Sequence, residues 1–151
     1  IERHNAFAED AVQTRGGWAR DIDDLWQAAG CGPQDIDMLQ AYDDYPVIVA
    51  MQLADLGFCN KPALPDFIAQ NDFTLTGSLP LNTNGGQLSA GQAGAAGGFQ
   101  NVTEGLRQVL HCPLGEQVPH ARRALVSGFG LVNYDRGVCT GAAILEQEVL
   151  L

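Results

Sequence analysis

The stretch NTNGGQLSAGQAGAAGG, residues 82 to 98, carries the densest chemical signal in the chain. Six of its last fourteen positions are glycine, and a helical pattern follows directly. Glycine loses the most backbone freedom on folding, so a chain concentrates it where backbone must approach something closely. Backbone N–H groups at a helix start can hold an anion or a polarised oxygen without any basic side chain. The thiols suggest no second centre. Cys31, Cys59, Cys112 and Cys139 contain no C-x-x-C spacing, which argues against zinc binding within the chain. Nothing marks secretion, so the expectation is reduced, mostly buried thiols in a cytoplasmic protein. His4, His111 and His120 fall in no motif.

Three helices and several short strands must position this loop. WARDIDDLWQAAGCGP has Ala19, Ile22, Leu25, Trp26 and Ala29 at helical spacing, and Gly30 and Gly32-Pro33 stop it. DIDMLQAY reads as a short strand buried on both faces. PVIVAMQLADLGF is the next helix, with Pro46 in its first turn, Asp43 or Asp44 available as a cap, and Gly57 at its end. It is apolar nearly all round, which suits burial on every side. Residues 60–78 form a loop with a helical turn near Pro65–Gln70. SLPLN is a short strand that enters the glycine-rich loop. GGFQNVTEGLRQVL continues as a helix with Phe99, Val102, Leu106, Val109 and Leu110 on one side. RRALVSGFG and GAAILEQEV are two strands joined by the loop LVNYDRGVCT. Helix, strand, helix, strand, helix, strand, strand is an α/β order with βαβ crossovers and a closing hairpin-like pair.

Composition narrows the function classes. The chain has 151 residues, enough for one domain with a real core. Its formal net charge is -10, and Lys61 is the only lysine. Residues 1–72 hold thirteen carboxylates against four basic residues, and residues 73–151 hold five against four. So acidic a chain repels a phosphate backbone, which argues against nucleic-acid binding. No apolar run approaches the roughly 20 residues that span a bilayer. The opening IERHNAFAED carries charges where the apolar core of a signal peptide would lie.

Three stretches resemble the C-terminal half of the thiolases, in the right order and covering about residues 19 to 148. NTNGGQLSAGQAGAAGG resembles the motif N-x-x-G-G-x-x-x-x-G-H-P-x-G-x-x-G. DIDMLQAYDDYP sits where thiolases carry a strand ending in Asn-Glu-Ala-Phe, or His-Asp-x-Phe in the sterol-carrier type. YDRGVCTGAAILE sits where they carry the final Cys-x-Gly loop and a strand ending in Glu. The resemblance implies a mixed central sheet with helices on both faces. It implies that the nucleophilic cysteine belongs to an N-terminal half outside this chain. It also implies an acyl-CoA thioester substrate, no cofactor held by this half, homodimerisation, and pairing with a small zinc-ribbon/OB-fold subunit.

The family's three catalytic positions on this half are all changed. Gln92 stands in place of the G-H-P histidine, and Tyr42 in place of the Asn or His that follows the strand. Counting back from Glu146 places Tyr134, not Cys139, at the position of the last cysteine. By resemblance Asn84, Gly85, Gly86, Gly91 and Gly94 line the thioester pocket. Tyrosine can donate a hydrogen bond or act as an acid with an ordinary pKa near ~10. Gln92 can donate to an oxyanion but cannot take a proton. Each position has a plainer alternative: Tyr42 a packed aromatic, Gln92 a backbone cap, Tyr134 a surface tyrosine. The functional expectation is an acyl-CoA-processing, thiolase-like acyltransferase that makes or breaks a C–C bond. A retro-aldolase and a non-catalytic thiolase-like partner subunit are the alternatives.

Overall fold

The structure, a computed structural model, describes residues 15–133 and 136–147. Helix α1 spans Trp18–Ala29 and ends at Gly30, whose φ of 63° is the left-handed cap expected of a glycine there. Strand β1 is only Met38–Gln40, and all three of its side chains are fully buried. Helix α2 covers Pro46–Asp55, and α3 covers Leu64–Gln70. The glycine-rich region holds the short α4, Gly86–Ala90, and a 3-10 turn at Gly94–Ala96 before α5, Gly98–Val109. Strands β2, Arg123–Asn133, and β3, Arg136–Glu146, close the chain.

The sheet order is β1-β2-β3. β1 runs parallel to β2 with Met38 opposite Ala124, and β2 is antiparallel to β3 with Arg123 opposite Glu146. Alternation along the strands sorts the core into two layers. Leu39 and Leu125 point to one face, where they join Trp18, Leu53 and Leu56 from the α1 and α2 side. Met38 and Ala124 point to the other, against Val109, Val118 and Ala121. Each fully buried leucine contributes about 1.5–3 kcal/mol relative to exposure. The sheet is thus mixed and covered on both faces, as expected.

Four expectations change. The segment SLPLN is not a strand. It makes one parallel bridge, Leu39 to Leu81, because Pro80 has no N–H to donate and Asn82 turns the chain at φ 48°. The expected loop at 131–140 is largely strand: pairing continues from Arg123–Glu146 through Gly130–Cys139 to Asn133–Arg136. The thiols are less buried than expected. Cys31 and Cys59 are half-buried, Cys112 and Cys139 are exposed, and none of the four is paired.

The fourth change concerns which faces the helices bury. In α5 the buried side chains are Asn101, Glu104, Gln108 and Val109, whereas Phe99, Leu106 and Leu110 are exposed. The helix lies on the sheet at Gly105, where a Cβ would crowd Val126 and Leu145 at 2.9 and 3.0 Å. Glu104 and Gln108 then bond inward. Glu104 accepts from the Thr83 hydroxyl at 2.8 Å and from Gln108 Nε2 at 2.9 Å. Gln108 Oε1 accepts the Val118 N–H at 2.8 Å, and Gln40 donates to Thr83 at 3.0 Å. These bonds offset the desolvation that buried polar groups would otherwise cost. α2 is likewise not buried all round, since Val47 at its start is 65% exposed. No helix among the described residues is long and apolar enough to cross a membrane.

Candidate functional site at the Tyr42–Gln92 junction

Residues 41–44 leave β1 and meet the start of the glycine-rich region. The Asn82 side chain makes the joint. Its Oδ1 accepts the Ala41 N–H at 2.7 Å and its Nδ2 donates to the Ala41 carbonyl at 3.0 Å. An amide side chain therefore carries the pairing of the Leu39–Leu81 bridge on to Ala41. Gln52 of α2 donates to the Tyr42 carbonyl at 2.7 Å and accepts from the Ser127 hydroxyl at 2.6 Å. The Tyr42 backbone is thereby fixed by both the helix and β2.

The Tyr42 side chain is buried, with its ring 5.3 Å from that of Phe129 and tilted by 47°. Its hydroxyl donates to Asp44 Oδ2 at 2.7 Å, and the Gln92 side chain lies near enough to favour its ionised form. Burial first, then the Asp44 hydrogen bond and charge, push the tyrosine pKa up to about 12, while Gln92 pulls it down. At neutral pH the group keeps its proton and acts as a donor. The two residues stand fifty positions apart in sequence and are close enough for Gln92 to act on the Tyr42 hydroxyl.

Asp44→Asn removes the charge that disfavours the phenolate. The expected result is a Tyr42 pKa lower than about 12, moving toward the ordinary value of 10.0. Absorbance titration of phenolate formation checks this, with a Tyr42→Phe sample subtracted to remove the other tyrosines. A titration that does not move rules out Asp44 as the partner of the hydroxyl.

The acidic pair after Tyr42 does not cap α2, contrary to expectation. The N-cap of α2 is Tyr45, with no side-chain cap bond, and Pro46 occupies the first turn. Asp43 turns away instead: its buried Oδ1 accepts the Gln87 N–H at 2.7 Å. Asn84 Oδ1 accepts the Gly86 N–H at 2.9 Å, which tightens the turn that brings Gln87 to Asp43. The N–H groups of Gly85, Gly91 and Gly97 bond to the carbonyls of Asn82, Gln87 and Gly94. Asn84, Gly85 and Gly86 therefore build a tight junction with residues 41–44. Gly91 and Gly94 lie beyond α4 with open space where a Cβ would stand.

Tyr134 lies outside the described residues, as does His4. His111, His120 and Cys139 are exposed. Sequence reasoning assigned Asp44 to capping and overlooked Asn82 and Gln52. The Tyr-Asp-Asp order offered one signal for Asp44, a carboxylate two residues from a phenol. Asn82 and Gln52 offered none, because their roles depend on tertiary neighbours.

The chain is similar to several known proteins. It is 40% identical over 85 residues to the 17-hydroxy-3-oxo-4-pregnene-20-carboxyl-CoA lyase of Mycobacterium tuberculosis, covering 56% of this chain and 21% of that protein. It is 27% identical over 109 residues to the benzoylsuccinyl-CoA thiolase subunit BbsB of Thauera aromatica, covering 70% of this chain and 28% of that protein. A solved structure titled Ltp2-ChsH2(DUF35) aldolase superposes with a TM-score of 0.71 and 27% identity, over 84% of this chain and 33% of that one. The chain thus spans about a fifth to a third of the length of these relatives. The family described as thiolase C-terminal domain-like matches residues 3–142, and the chain belongs to that family.

Proposed function

We propose that this chain forms part of an enzyme that cleaves a C–C bond beside a coenzyme A thioester by a retro-aldol step. The observation that carries the reading is the buried Tyr42 hydroxyl, held by Asp44 and set near Gln92, which stands where the family resemblance implies a histidine. The relatives named lyase and aldolase support it. In such a step a base removes the proton of the 3-hydroxyl. The bond between C2 and C3 breaks, and its electron pair passes into the thioester enolate. A ketone or aldehyde leaves, and the enolate is protonated at carbon to give a shorter acyl-CoA. Tyr42, kept protonated, turns its one O–H from Asp44 to the enolate oxygen and Gln92 donates beside it, a stabilisation that acts where charge develops. Tyr134 is the third group assigned to this centre, and Asn84, Gly85, Gly86, Gly91 and Gly94 are assigned to the thioester end. The proposal includes an N-terminal half, a homodimer, and a second small subunit of the zinc-ribbon/OB-fold kind. The two-component title of the solved aldolase supports a second subunit.

Thiolytic acyl transfer is the runner-up, favoured by the similarity to a thiolase subunit. Products separate the two. The full-length protein with its partner should convert a 3-hydroxyacyl-CoA into a carbonyl compound and a shorter acyl-CoA without consuming free coenzyme A. Turnover confined to 3-ketoacyl-CoA, with stoichiometric uptake of coenzyme A, overturns the retro-aldol reading.

A further inference from the structure

A second feature opens from the same junction. A cleft of about 430 Å3 lies between α2, α3 and the glycine turn, and neither Tyr42 nor Gln92 lines it. Val49, Ala50 and Leu53 of α2, Ile68 of α3, and Phe73 and Leu81 wall it with hydrocarbon. Leu88 and Ile68 at the cleft are 61% and 43% exposed, so apolar surface continues outward from it. Small-molecule sites have this form: roughly 300–1,000 Å3, mostly apolar, with a few placed polar groups.

The polar groups here are Asp43 and Asn82. The Asn82 amide is occupied on both sides by Ala41, and Asp43 Oδ1 by Gln87. Asp43 Oδ2 packs against Gly86 and takes no hydrogen bond from a described residue, so it remains an acceptor at the edge of the cleft. None of the described residues lining the cleft is basic. A carboxylate in an apolar wall repels an acid and accepts from a hydroxyl. That excludes a fatty-acid head or a phosphate and suits a neutral donor.

We infer that this cleft binds the apolar body of a neutral molecule that presents a hydroxyl to Asp43. Under the retro-aldol reading the molecule is the hydroxyl-bearing acyl group of the thioester. That identification rests on the proposed function, whereas the site does not.

Calorimetric titration of the full-length protein with 1-decanol and with decanoate tests the site without any turnover. Decanol should bind, and decanoate about tenfold more weakly or worse. Asp43→Asn keeps an acceptor for Gln87 and should bring the two affinities together. Ala50→Trp should weaken decanol about tenfold or more by filling the floor. Ile68→Trp, on the exposed rim, is a second filling variant with little risk to folding, and should weaken it in the same direction. Equal binding of decanol and decanoate to the unaltered protein overturns the proposal. So does decanol affinity that neither tryptophan changes. Displacement of decanol by a 3-hydroxyacyl-CoA identifies the thioester as the source of the bound group. Lack of displacement assigns the cleft to a free alcohol and counts against the thioester identification alone.

Discussion

Tyr42→Phe in the full-length protein is expected to lower turnover about 10²-fold or more while leaving the fold nearly intact. The substitution removes one oxygen. The ring keeps its contact with Phe129, and Gln52 still holds the backbone carbonyl. Losing the bond to Asp44 costs about 0.5–1.5 kcal/mol of stability, a typical net value for one hydrogen bond. A donor aimed at a developing enolate acts mainly in the transition state, so kcat and kcat/KM should fall together. Gln92→Ala should cost less, because the amide is exposed to water whereas the Tyr42 phenol is buried. Tyr134→Phe gives the contribution of the final hairpin in the same assay. Steady-state kinetics of the three variants settles the order. Near-full turnover in Tyr42→Phe returns the residue to a packed aromatic beside Phe129 and removes the reaction from this junction.

The parts of this molecule that were legible in the sequence are those set by local pattern. The apolar spacing of α1, the Pro46 start of α2 and the Gly30 stop all depend on residues within one or two turns. The glycine-rich loop was legible for the same reason. The orientation of α5 was not. Its spacing shows that one stripe is apolar, but not that Phe99, Leu106 and Leu110 face away from this chain's own sheet. That choice is made by partners distant in sequence, with Gly105 against Val126 and Glu104 against Thr83. The hairpin is a similar case. Gly137, in the run LVNYDRGVCT between the two expected strands, looks like a loop residue, and only the cross-strand register carries pairing through it. At the site, Tyr42 and Gln92 could be placed together by the resemblance, but Asp44 could not be told from a capping acid. A cap and a phenol partner need the same carboxylate, and only the Tyr45 N-cap with Pro46 behind it decides between them.

Gly86→Ala is expected to destabilise the full-length protein by about 2–5 kcal/mol, and Gly94→Ala by only about 1–2 kcal/mol. Both glycines occupy the left-handed region, at φ 62° and 57°, where a Cβ alone costs roughly 1–2 kcal/mol. Around Gly94 there is nothing within 4 Å for that Cβ to meet. At Gly86 it would collide with the Asp43 carboxylate. The buried carboxylate would then have to move, and its bond to the Gln87 N–H would break. A buried group left without its partner costs about 1–3 kcal/mol, which makes up the difference between the two variants. Denaturant midpoints measured at constant slope provide the comparison. Asp43→Asn combined with Gly86→Ala should be less than additive, since the collision and the cap involve the same side chain. If Gly86→Ala unfolds no more readily than Gly94→Ala, Asp43 is not packed against the glycine turn. Residues 42–44 then lose the anchor that holds the Tyr42 hydroxyl against Gln92.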